Sequence, residues 1–351
     1  MTPYLVTYVV LAVALVSGVL LDKVRTAALL AFVPMFVLIA LRGMVGTDSA
    51  VYVQIFDTIR YQGVLASSFE PGFTLLVEVL TWVYKDPFDI LIFLGCATAL
   101  IMLCAGLLLE RVPLLFMAIV LPYFLLDMSM NGLRYGLAFS IVALGAAFLA
   151  RGGVKVFLGC CIVAASIQIS SVMLAASLWA LLEARTRTFL AAGVGLVFAF
   201  ILFGDYLSDK LSQNADIAGI GGLSGVAPLA ATALIVAAVR TSGDKGDAET
   251  RSPVGGPVLA LVFAMQLASF FIARQYYAGL RLQGLFLFLL YLVIAAAHTR
   301  ADRRLVLGRN SGALMLMAIA LLAGSRLKNF KDDVLYLSPY NPYYFASELS
   351  A

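Results

Sequence analysis

The sequence predicts an all-α polytopic membrane protein, and two observations support that prediction. Of the 351 residues, 62% are hydrophobic and only 13% are charged, whereas charged residues make up about a quarter of a typical globular chain. Apolar blocks also recur along the whole chain, many of them close to the roughly 20 residues that a helix needs to cross a bilayer. Because these blocks are continuous rather than alternating, they exclude a transmembrane β-barrel.

The apolar blocks divide into about ten full transmembrane helices. The predicted spans are 4–21, 26–41, 90–109, 113–126, 134–150, 188–204, 225–239, 257–273, 282–297 and 310–325. A further block, 156–182, is too long for one pass and contains Gln168 near its middle, which predicts a re-entrant helical hairpin lining a cavity. Residues 72–84 are short and carry Glu78, so we place them at the outer interface. We treat residues 1–351 as a single transmembrane domain.

Basic loops set the predicted orientation of these spans. The loop 298–309 carries four arginines, and the loop 240–256 contains the clearest hydrophilic linker, with two arginines and a lysine; the positive-inside rule places both in the cytoplasm. Counting spans outward from them places the loop 42–71 and the tail 326–351 on the outer face. The spans therefore predict a multi-pass protein of the cytoplasmic membrane with its polar cavity facing outward.

The sequence gives no indication of a metal or a cofactor. The four cysteines lie inside apolar blocks without a CxxC pair, and the single histidine, His298, lies in a predicted cytoplasmic loop. The chain also lacks the Walker, GxSxG, HExxH and metal-nucleotide DxD patterns. We expect no metal, no cofactor and no nucleic-acid partner, so the energy of any reaction must come with its substrate.

The longest polar interval, 42–71, is where we expect chemistry. Two glycines loosen the end of the preceding span, and an amphipathic helix is predicted to begin near Ser49 and to lie on the outer leaflet. Val51, Ile55 and Ile59 would share one face of this helix, with Tyr52 and Phe56 beside it. A span needs no such polar interval merely to cross the membrane, so we expect it to form part of a site.

Two carboxylates flank this helix, and each has two interpretations. Asp48 is placed to cap the helix, or to act as a general base or bind an acceptor hydroxyl. Glu70 precedes Pro71, a residue favoured at the first helical position, so Glu70 would lie where a cap lies, beside the positive end of a helix dipole. Glutamate is a less usual cap than serine or aspartate, which leaves a functional role equally open.

Arginines at the starts of apolar blocks are the candidate anion-binding groups. Arg134 precedes a helix rich in small residues, which suits close helix packing, and its guanidinium suits bidentate contact with a phosphate. Arg274 and Arg281 lie seven residues apart and would share a face on a continuous helix, which suits a pyrophosphate. The alternative for each is a side chain that reaches the lipid headgroups, with Tyr276 and Tyr277 as an aromatic belt.

The aromatic tail at 336–345, YLSPYNPYYF, contains Tyr340 and Tyr343. Tyrosine-rich surfaces stack on sugar rings, but they also anchor chains at the lipid interface, and the sequence favours neither alternative.

These segments together resemble the EpsG family of exopolysaccharide polymerases, the Wzy-like proteins. The matching patterns, in chain order, are R-x3-G-T-D-x3-Y at 42–52, E-P-G-F at 70–73, N-x2-R-x-G-x-A-F at 131–139, the arginine-led start of the penultimate span at 281, and the P-Y-x-P-Y-like tail at 339–345. The chain departs from the family at Tyr135, where glutamine is usual, and at Gln168, where histidine often stands. A glutamine still hydrogen-bonds a sugar or a phosphate, so we assign Gln168 to binding rather than to proton transfer.

The resemblance implies a glycosyltransferase at the outer face of a bacterial inner membrane. Such a polymerase transfers a growing glycan from a polyprenyl diphosphate carrier onto an incoming lipid-linked repeat unit. Its partners would be the lipid-linked oligosaccharide donor and acceptor, membrane lipids and other polysaccharide assembly proteins. It is similar to the GT-C membrane glycosyltransferases, in which an acidic residue of the first outer loop is the base, so Asp48 and Glu70 are the candidate catalytic residues. The residues expected to bind substrate or diphosphate are Arg42, Tyr52, Arg134, Gln168, Arg274, Arg281, Tyr340 and Tyr343.

Two other classes of protein remain as alternatives. An exporter of lipid-linked oligosaccharides would need the same arginines but no catalytic carboxylate, and it should show an internal two-fold repeat in its hydropathy. No such repeat is visible in the sequence. A purely structural subunit would not explain charged residues at the starts of spans, because such residues are costly unless they face a polar cavity.

Overall fold

A computed structural model describes residues 2–63, 69–109, 113–182, 225–242, 252–274, 278–332, 343 and 345. The secondary structure of these residues is helical, apart from one isolated antiparallel β-bridge between Arg42 and Phe345. The helices are α1 (Thr2–Leu20), α2 (Val24–Ala40), α3 (Ser49–Gln62), α4 (Pro71–Val83), α5 (Pro87–Leu108), α6 (Pro113–Met130), α7 (Leu133–Ala150), α8 (Val154–Ile167), α9 (Ser171–Leu182), α10 (Val226–Arg240), α11 (Gly256–Ala273), α12 (Ala278–Arg300) and α13 (Arg309–Asp332).

Seven helices among the described residues are long and apolar enough to cross a membrane: α1, α5, α6, α7, α11, α12 and α13. Five shorter apolar helices accompany them: α2, α4, α8, α9 and α10. The predicted all-α polytopic membrane fold is therefore confirmed. The number of full spans stays a prediction, and the predicted span 188–204 lies outside the described residues.

The long apolar block 156–182 is divided at the place the sequence indicated. Helix α8 ends at Ile167, where Gln168 takes an extended conformation with φ −153° and ψ 112°. The N–H of Ser171 then donates to the Gln168 carbonyl at 3.0 Å, and α9 begins. The two short helices are thus separate elements, whereas their re-entry into the membrane stays a prediction.

The chain divides into two compact units. Unit 1 comprises Met1–Val172 together with Ala323–Ala351, and unit 2 comprises Met173–Leu322. Unit 1 contains both polar segments that flank α3, and it is where most of the family-like patterns fall. Unit 2 contains the hairpin of α11 and α12 with α10 packed beside it. The single transmembrane domain stays a prediction.

The small residues of α7 allow its close packing in unit 1. A Cβ added at Gly136 would collide with the Met128 carbonyl oxygen, and one added at Gly145 would lie 2.9 Å from the Cys160 Cβ. The helix buries most of its length against α5 and α8. Because small residues let helix backbones approach closely, this packing agrees with the role that the sequence indicated for them.

Helix α6 contains a wide, fully buried segment. Residues Phe116–Leu125 form a π-helix around Pro122, a residue that has no N–H to donate to the helix. The carbonyl of Pro122 accepts a hydrogen bond of 2.6 Å from the Tyr8 hydroxyl of α1. A long π-helical stretch is unusual and often marks a functional region. Here it leads directly into the turn that joins α6 to α7.

Gly46, in the segment after α2, lies directly against the end of α6. Its φ is +107°, and an added Cβ would collide with the Met130 carbonyl oxygen. We expect Gly46→Ala to lower the melting temperature in detergent, because the backbone strain alone costs of order 1–3 kcal/mol and the collision adds to it. Thermal unfolding of the purified variant measures the loss.

Gly63→Ala is the matched control for this variant. Gly63 also has a positive φ, +78°, but an added Cβ would meet no atom of the described residues within 4 Å. Its loss of stability should therefore be smaller than that of Gly46→Ala. Equal losses in both variants would show that the approach to Met130 contributes nothing.

Candidate functional site

The turn before α3 is held by a side chain from the α6–α7 turn. The Oδ1 atom of Asn131 accepts a hydrogen bond of 2.9 Å from the Asp48 N–H and a second one from the Thr47 hydroxyl. Asp48 is the residue preceding α3, but its side chain makes no capping hydrogen bond to that helix. This geometry disfavours the capping interpretation of Asp48 and leaves the functional one.

Helix α3 forms as predicted. Ser49, Tyr52, Phe56 and Ile59 are its buried residues, whereas Val51 is 47% exposed. The rings of Tyr52 and Phe56 pack inward, and the placement of the apolar face with Val51 on the outer leaflet stays a prediction. Helix α3 presents Tyr52 to the start of α4.

Glu70 precedes α4 with Pro71 as the first helical residue, as the sequence predicts. Its side chain makes no capping hydrogen bond and instead joins two other segments. One carboxylate oxygen, Oε2, lies 2.5 Å from Nη1 of Arg134. The other, Oε1, accepts a hydrogen bond of 3.3 Å from the N–H of Ile169, in the turn between α8 and α9. The carboxylate of Glu70 therefore binds both Arg134 and the turn that contains Gln168.

Glycine in the E-P-G-F pattern makes this arrangement possible. A Cβ added at Gly72 would collide with the Ser166 hydroxyl of α8, and it would lie 2.7 Å from the Ser166 carbonyl oxygen. The absence of a side chain at this position lets the start of α4 lie against the end of α8. Glu70 can then reach the turn that follows α8.

The guanidinium of Arg134 lies on an aromatic cluster. Its Cζ atom is 3.7 Å from the ring centroid of Phe69, which is close enough for a cation–π interaction. The rings of Tyr52, Phe56 and Phe73 complete the cluster. The ring centroid of Tyr52 lies 5.9 Å from that of Phe56, 6.1 Å from that of Phe69 and 6.4 Å from that of Phe73. Arg134 and Glu70 keep side-chain exposures of 23% and 20%. The cation is thus held in one orientation while still open to solvent.

Tyr52 connects the aromatic cluster to both ionic groups. Burial raises the pKa of the Tyr52 hydroxyl, the positive charge of Arg134 opposes that rise, and the negative charge of Asp48 adds to it. Hydrogen bonding from Arg134 also opposes the rise of the Tyr52 pKa. Because the net change is upward, the Tyr52 hydroxyl stays protonated at neutral pH. It is therefore suited to bind an oxygen rather than to accept a proton.

A second polar cluster adjoins the group formed by Asp48, Tyr52, Glu70 and Arg134. Its residues were not among those predicted to form the site. The Oδ2 atom of Asp127 accepts a hydrogen bond of 3.1 Å from Nη2 of Arg326 and another from the Tyr135 hydroxyl. Nε of Arg326 donates to the Tyr123 carbonyl at 2.9 Å, and Cζ lies 4.1 Å from the Tyr123 ring centroid. Asp127 directly follows the predicted span 113–126 and Arg326 directly follows the predicted span 310–325, so the positions of these ionisable residues at the ends of spans are the sequence signal for this cluster.

Arg42 is buried, which the sequence did not indicate. It is 0% exposed, and its guanidinium donates to the carbonyl oxygens of Met130 at 2.6 Å and Leu91 at 3.1 Å. This position favours a structural role, because a fully buried guanidinium already bonded to carbonyls cannot reach a diphosphate without leaving them. The predicted contact of Arg42 with a diphosphate stays a prediction.

Tyr343 has a similar environment. It is 9% exposed, its hydroxyl donates to the Leu38 carbonyl at 2.6 Å, and its ring lies edge-on to Tyr4 at 5.6 Å. Burial raises the pKa of its hydroxyl. These contacts favour a role in attaching the tail to α1 and α2 over the predicted stacking on a sugar. Tyr340 lies outside the described residues.

Arg274 and Arg281 both lie in unit 2. Helix α11 ends at Ala273 with Arg274 directly after it, and α12 begins at Ala278. A face shared by both cations would need one continuous helix through residues 275–277, which lie outside the described residues, so it stays a prediction. Both side chains are exposed, and the Cζ atom of Arg274 lies 4.6 Å from the Phe270 ring centroid. Their role in binding a diphosphate stays a prediction.

In unit 1, then, the structure brings together Asp48, Tyr52, Glu70, Arg134 and the turn of Gln168. The half-buried Gln168 lies beside Ile169, whose N–H bonds Glu70. No group of three or more histidine, cysteine, aspartate or glutamate residues is placed to hold a metal within the described part of the chain.

Most of the chain matches the sequence model of a known protein family. The sequence model of the EpsG family matches residues 25–341, a range that contains every polar contact of the site in unit 1. No curated protein and no solved structure is significantly similar to the chain. A match over this much of the sequence decides the family: the chain belongs to the EpsG family.

Proposed function

We propose that this protein is an exopolysaccharide polymerase that extends a glycan held on a polyprenyl diphosphate carrier. Membership of the EpsG family suggests a role in exopolysaccharide polymerisation, and the apolar helices make the protein a membrane protein. The observation that supports the proposal most strongly is the arrangement of Arg134. A partly exposed guanidinium is oriented by a carboxylate and an aromatic ring, and its charge and that of the second carboxylate, Asp48, both act on Tyr52.

In the proposed reaction, Arg134 binds the diphosphate of the donor. Its planar fork matches the oxygens of a phosphate, which a lysine ammonium does not. Negative charge develops on the diphosphate as the bond to the sugar breaks, and an oriented cation stabilises that charge without having to reorganise. The Phe69 ring beneath the guanidinium and the Glu70 carboxylate beside it hold the cation in place.

Asp48 is the proposed general base. Both oxygens of Glu70 are engaged, one by Arg134 and one by the Ile169 N–H, so we assign Glu70 to positioning. The Asp48 side chain is not used as a cap. It precedes α3 four residues before Tyr52, a spacing that places both on one side of a helix.

In the proposed step one proton is transferred, one bond forms and one bond breaks. The acceptor hydroxyl gives its proton to Asp48, and its oxygen forms a bond to the anomeric carbon of the donor glycan. The bond from that carbon to the phosphate oxygen breaks, and its electron pair leaves with the polyprenyl diphosphate. The substrate thus supplies the free energy of the reaction, in agreement with a chain that carries no nucleotide motif. We place this site on the outer face of the inner membrane, on the basis of the basic loops.

The test is elongation by the purified protein in detergent or nanodiscs. A lipid-linked repeat unit from producing cells, supplied as donor and acceptor with a chelator and without nucleotide sugars, should give longer glycans and free polyprenyl diphosphate. Gel electrophoresis and phosphate analysis measure the two products. If the substrate binds but crosses sealed vesicles without forming any glycosidic bond, the protein is an exporter and the proposal is wrong.

A further inference from the structure

The side chain of Asn131, in the turn between α6 and α7, is held in one orientation. The N–H of Asp48 and the hydroxyl of Thr47 both donate to the same side-chain atom. An amide nitrogen only donates, so the atom that accepts from a main-chain N–H must be the oxygen, Oδ1. The oxygen and nitrogen of an asparagine are assigned from such partners, and here one assignment fits. The NH₂ group of Asn131 therefore points away from the turn that precedes α3.

The NH₂ group of Asn131 is the part of this residue that is left for a ligand. The main-chain N–H donates to the Asp127 carbonyl at 3.0 Å, and the main-chain carbonyl accepts from the Leu133 N–H at 2.9 Å. Oδ1 has two donors, whereas no described residue accepts a hydrogen bond from Nδ2. Because Asn131 is only half-buried, an acceptor from outside the protein can reach this oriented donor.

Asn131 also joins the proposed base to the helix that carries the proposed cation. Its Oδ1 atom contacts residue 48, and Arg134 follows three residues later, in the first turn of α7. The charge of Arg134 acts on Tyr52, which lies one turn after Asp48 on α3. One helical turn rises about 5.4 Å. The amide and the guanidinium therefore approach α3 at points about one turn apart, a spacing suited to a ligand with two phosphoryl groups.

The chemistry of the two groups selects the kind of ligand. An amide NH₂ and a guanidinium only donate hydrogen bonds, so together they fit a ligand whose oxygens only accept. A sugar hydroxyl both donates and accepts, whereas the oxygens of a diphosphate only accept. We propose that Nδ2 of Asn131 donates a hydrogen bond to a phosphoryl oxygen of the polyprenyl diphosphate donor, beside the oxygens that Arg134 binds. This inference rests on the proposed function.

The proposed contact makes Asn131 a catalytic residue of the same reaction. When the bond between the anomeric carbon and the phosphate oxygen breaks, its electron pair stays on that oxygen and the negative charge of the leaving group grows. A donor that is oriented beforehand stabilises this charge without reorganisation. The hydrogen bonds from Thr47 and from the Asp48 N–H provide that orientation. Asn131 thus adds a neutral donor to the positive charge of Arg134.

Asn131→Asp tests the donor without removing the acceptor. The carboxylate keeps an oxygen for Thr47 and for the Asp48 N–H, so the melting temperature in detergent should change little. We expect the affinity for sugar-free polyprenyl diphosphate to fall about 10-fold or more, the effect of losing a hydrogen bond to a charged group. The turnover number for elongation should fall about 100-fold, as when one oriented donor is removed. Ligand-induced shifts of the melting temperature measure the affinity without turnover.

Two further variants separate the hydrogen bond from charge and from folding. Asn131→Ala adds no charge; it should be less stable than the wild type and should also bind the sugar-free carrier about 10-fold more weakly. Thr47→Val is the matched control, because it weakens the same turn but leaves Nδ2 in place and the Asp48 N–H bonded to Oδ1. Its affinity for the carrier should be close to that of the wild type.

Three results would overturn the proposed contact. Wild-type affinity of Asn131→Ala for the sugar-free carrier would do so, since a loss confined to Asn131→Asp would come from its added charge. Weaker binding of the lipid-linked repeat unit alone, in both variants, would assign the donor to a sugar oxygen. An equal loss of affinity in Thr47→Val would make the amide a structural group. If carrier binding falls as expected but the wild type forms no polymer, the contact stands and the proposed function is wrong.

Discussion

Arg134→Ala should abolish polymer formation while the protein remains folded in detergent. The guanidinium is the only cation of the first polar cluster, which we define as Asp48, Tyr52, Glu70 and Arg134. Its removal takes away the charge that stabilises the leaving diphosphate. Loss of one oriented electrostatic group at a transition state lowers kcat by about 100- to 1,000-fold. Glycan elongation by the purified variant measures this loss, and thermal unfolding shows whether the variant is folded.

Two further variants define the cause of that loss. Arg134→Lys should recover only part of the activity, because an ammonium keeps the charge but not the fork. Arg326→Ala is the matched control, since Arg326 also pairs with a carboxylate and lies over an aromatic ring. It should lower stability and leave most of the activity. Elongation near the wild-type rate by Arg134→Ala would reduce this arginine to a packing or lipid-anchoring residue.

Asp48→Asn should lower the turnover number by roughly 100-fold or more, the scale of lost general-base assistance. The melting temperature and the KM for the lipid-linked repeat unit should change little. Asparagine and aspartate are equally good at the position before a helix, and the main-chain N–H of residue 48 keeps its hydrogen bond to Asn131. The variant therefore removes the proton acceptor and preserves the turn, which a steady-state kinetic comparison can show.

Glu70→Gln is the comparison that separates the two carboxylates. The amide oxygen can still accept from Arg134 and the amide keeps the size of the side chain, so we expect turnover within about 10-fold of the wild type. The opposite result, a large loss in Glu70→Gln with an active Asp48→Asn, would make Glu70 the base. Full turnover in both variants would show that neither carboxylate is the base, and this step of the proposed mechanism would be wrong.

The sequence predicted the helices better than it predicted the partners of the polar groups. The apolar blocks predicted where most helices lie, and Pro71 predicted where α4 begins. Both signals are local, because a long apolar run suits a bilayer and proline lacks the N–H that a helix interior needs. Arg42 could not be placed in this way. Its partners are the main-chain carbonyls of Met130 and Leu91, which are 88 and 49 residues away. A main-chain oxygen has no signature in the sequence.

The face that α3 buries could not be predicted for the same reason. The packing of Tyr52 against Phe69 and Phe73 decides which face of α3 is buried, and this contact joins segments that are distant in the sequence. The end of α11 at Ala273, by contrast, agrees with the predicted span 257–273, because an apolar block has a local signature. Asp48, Glu70 and Arg134 were identified because ionisable residues at the edges of apolar spans are costly and therefore conspicuous.

Unit 1 is built from both ends of the chain, and this has a consequence for biosynthesis. The Arg326 contact with Asp127 and the Tyr343 contact with Leu38 join segments that the whole of unit 2 separates in sequence. Ribosomes add about 5–20 residues per second, so about 150 residues of unit 2 delay these contacts by roughly 8 to 30 seconds. During that interval the nascent α1 to α8 must wait in the membrane with the tail contacts unmade. The candidate catalytic carboxylates are thus translated before unit 2, and the unit that holds them completes its contacts only after unit 2 has been translated.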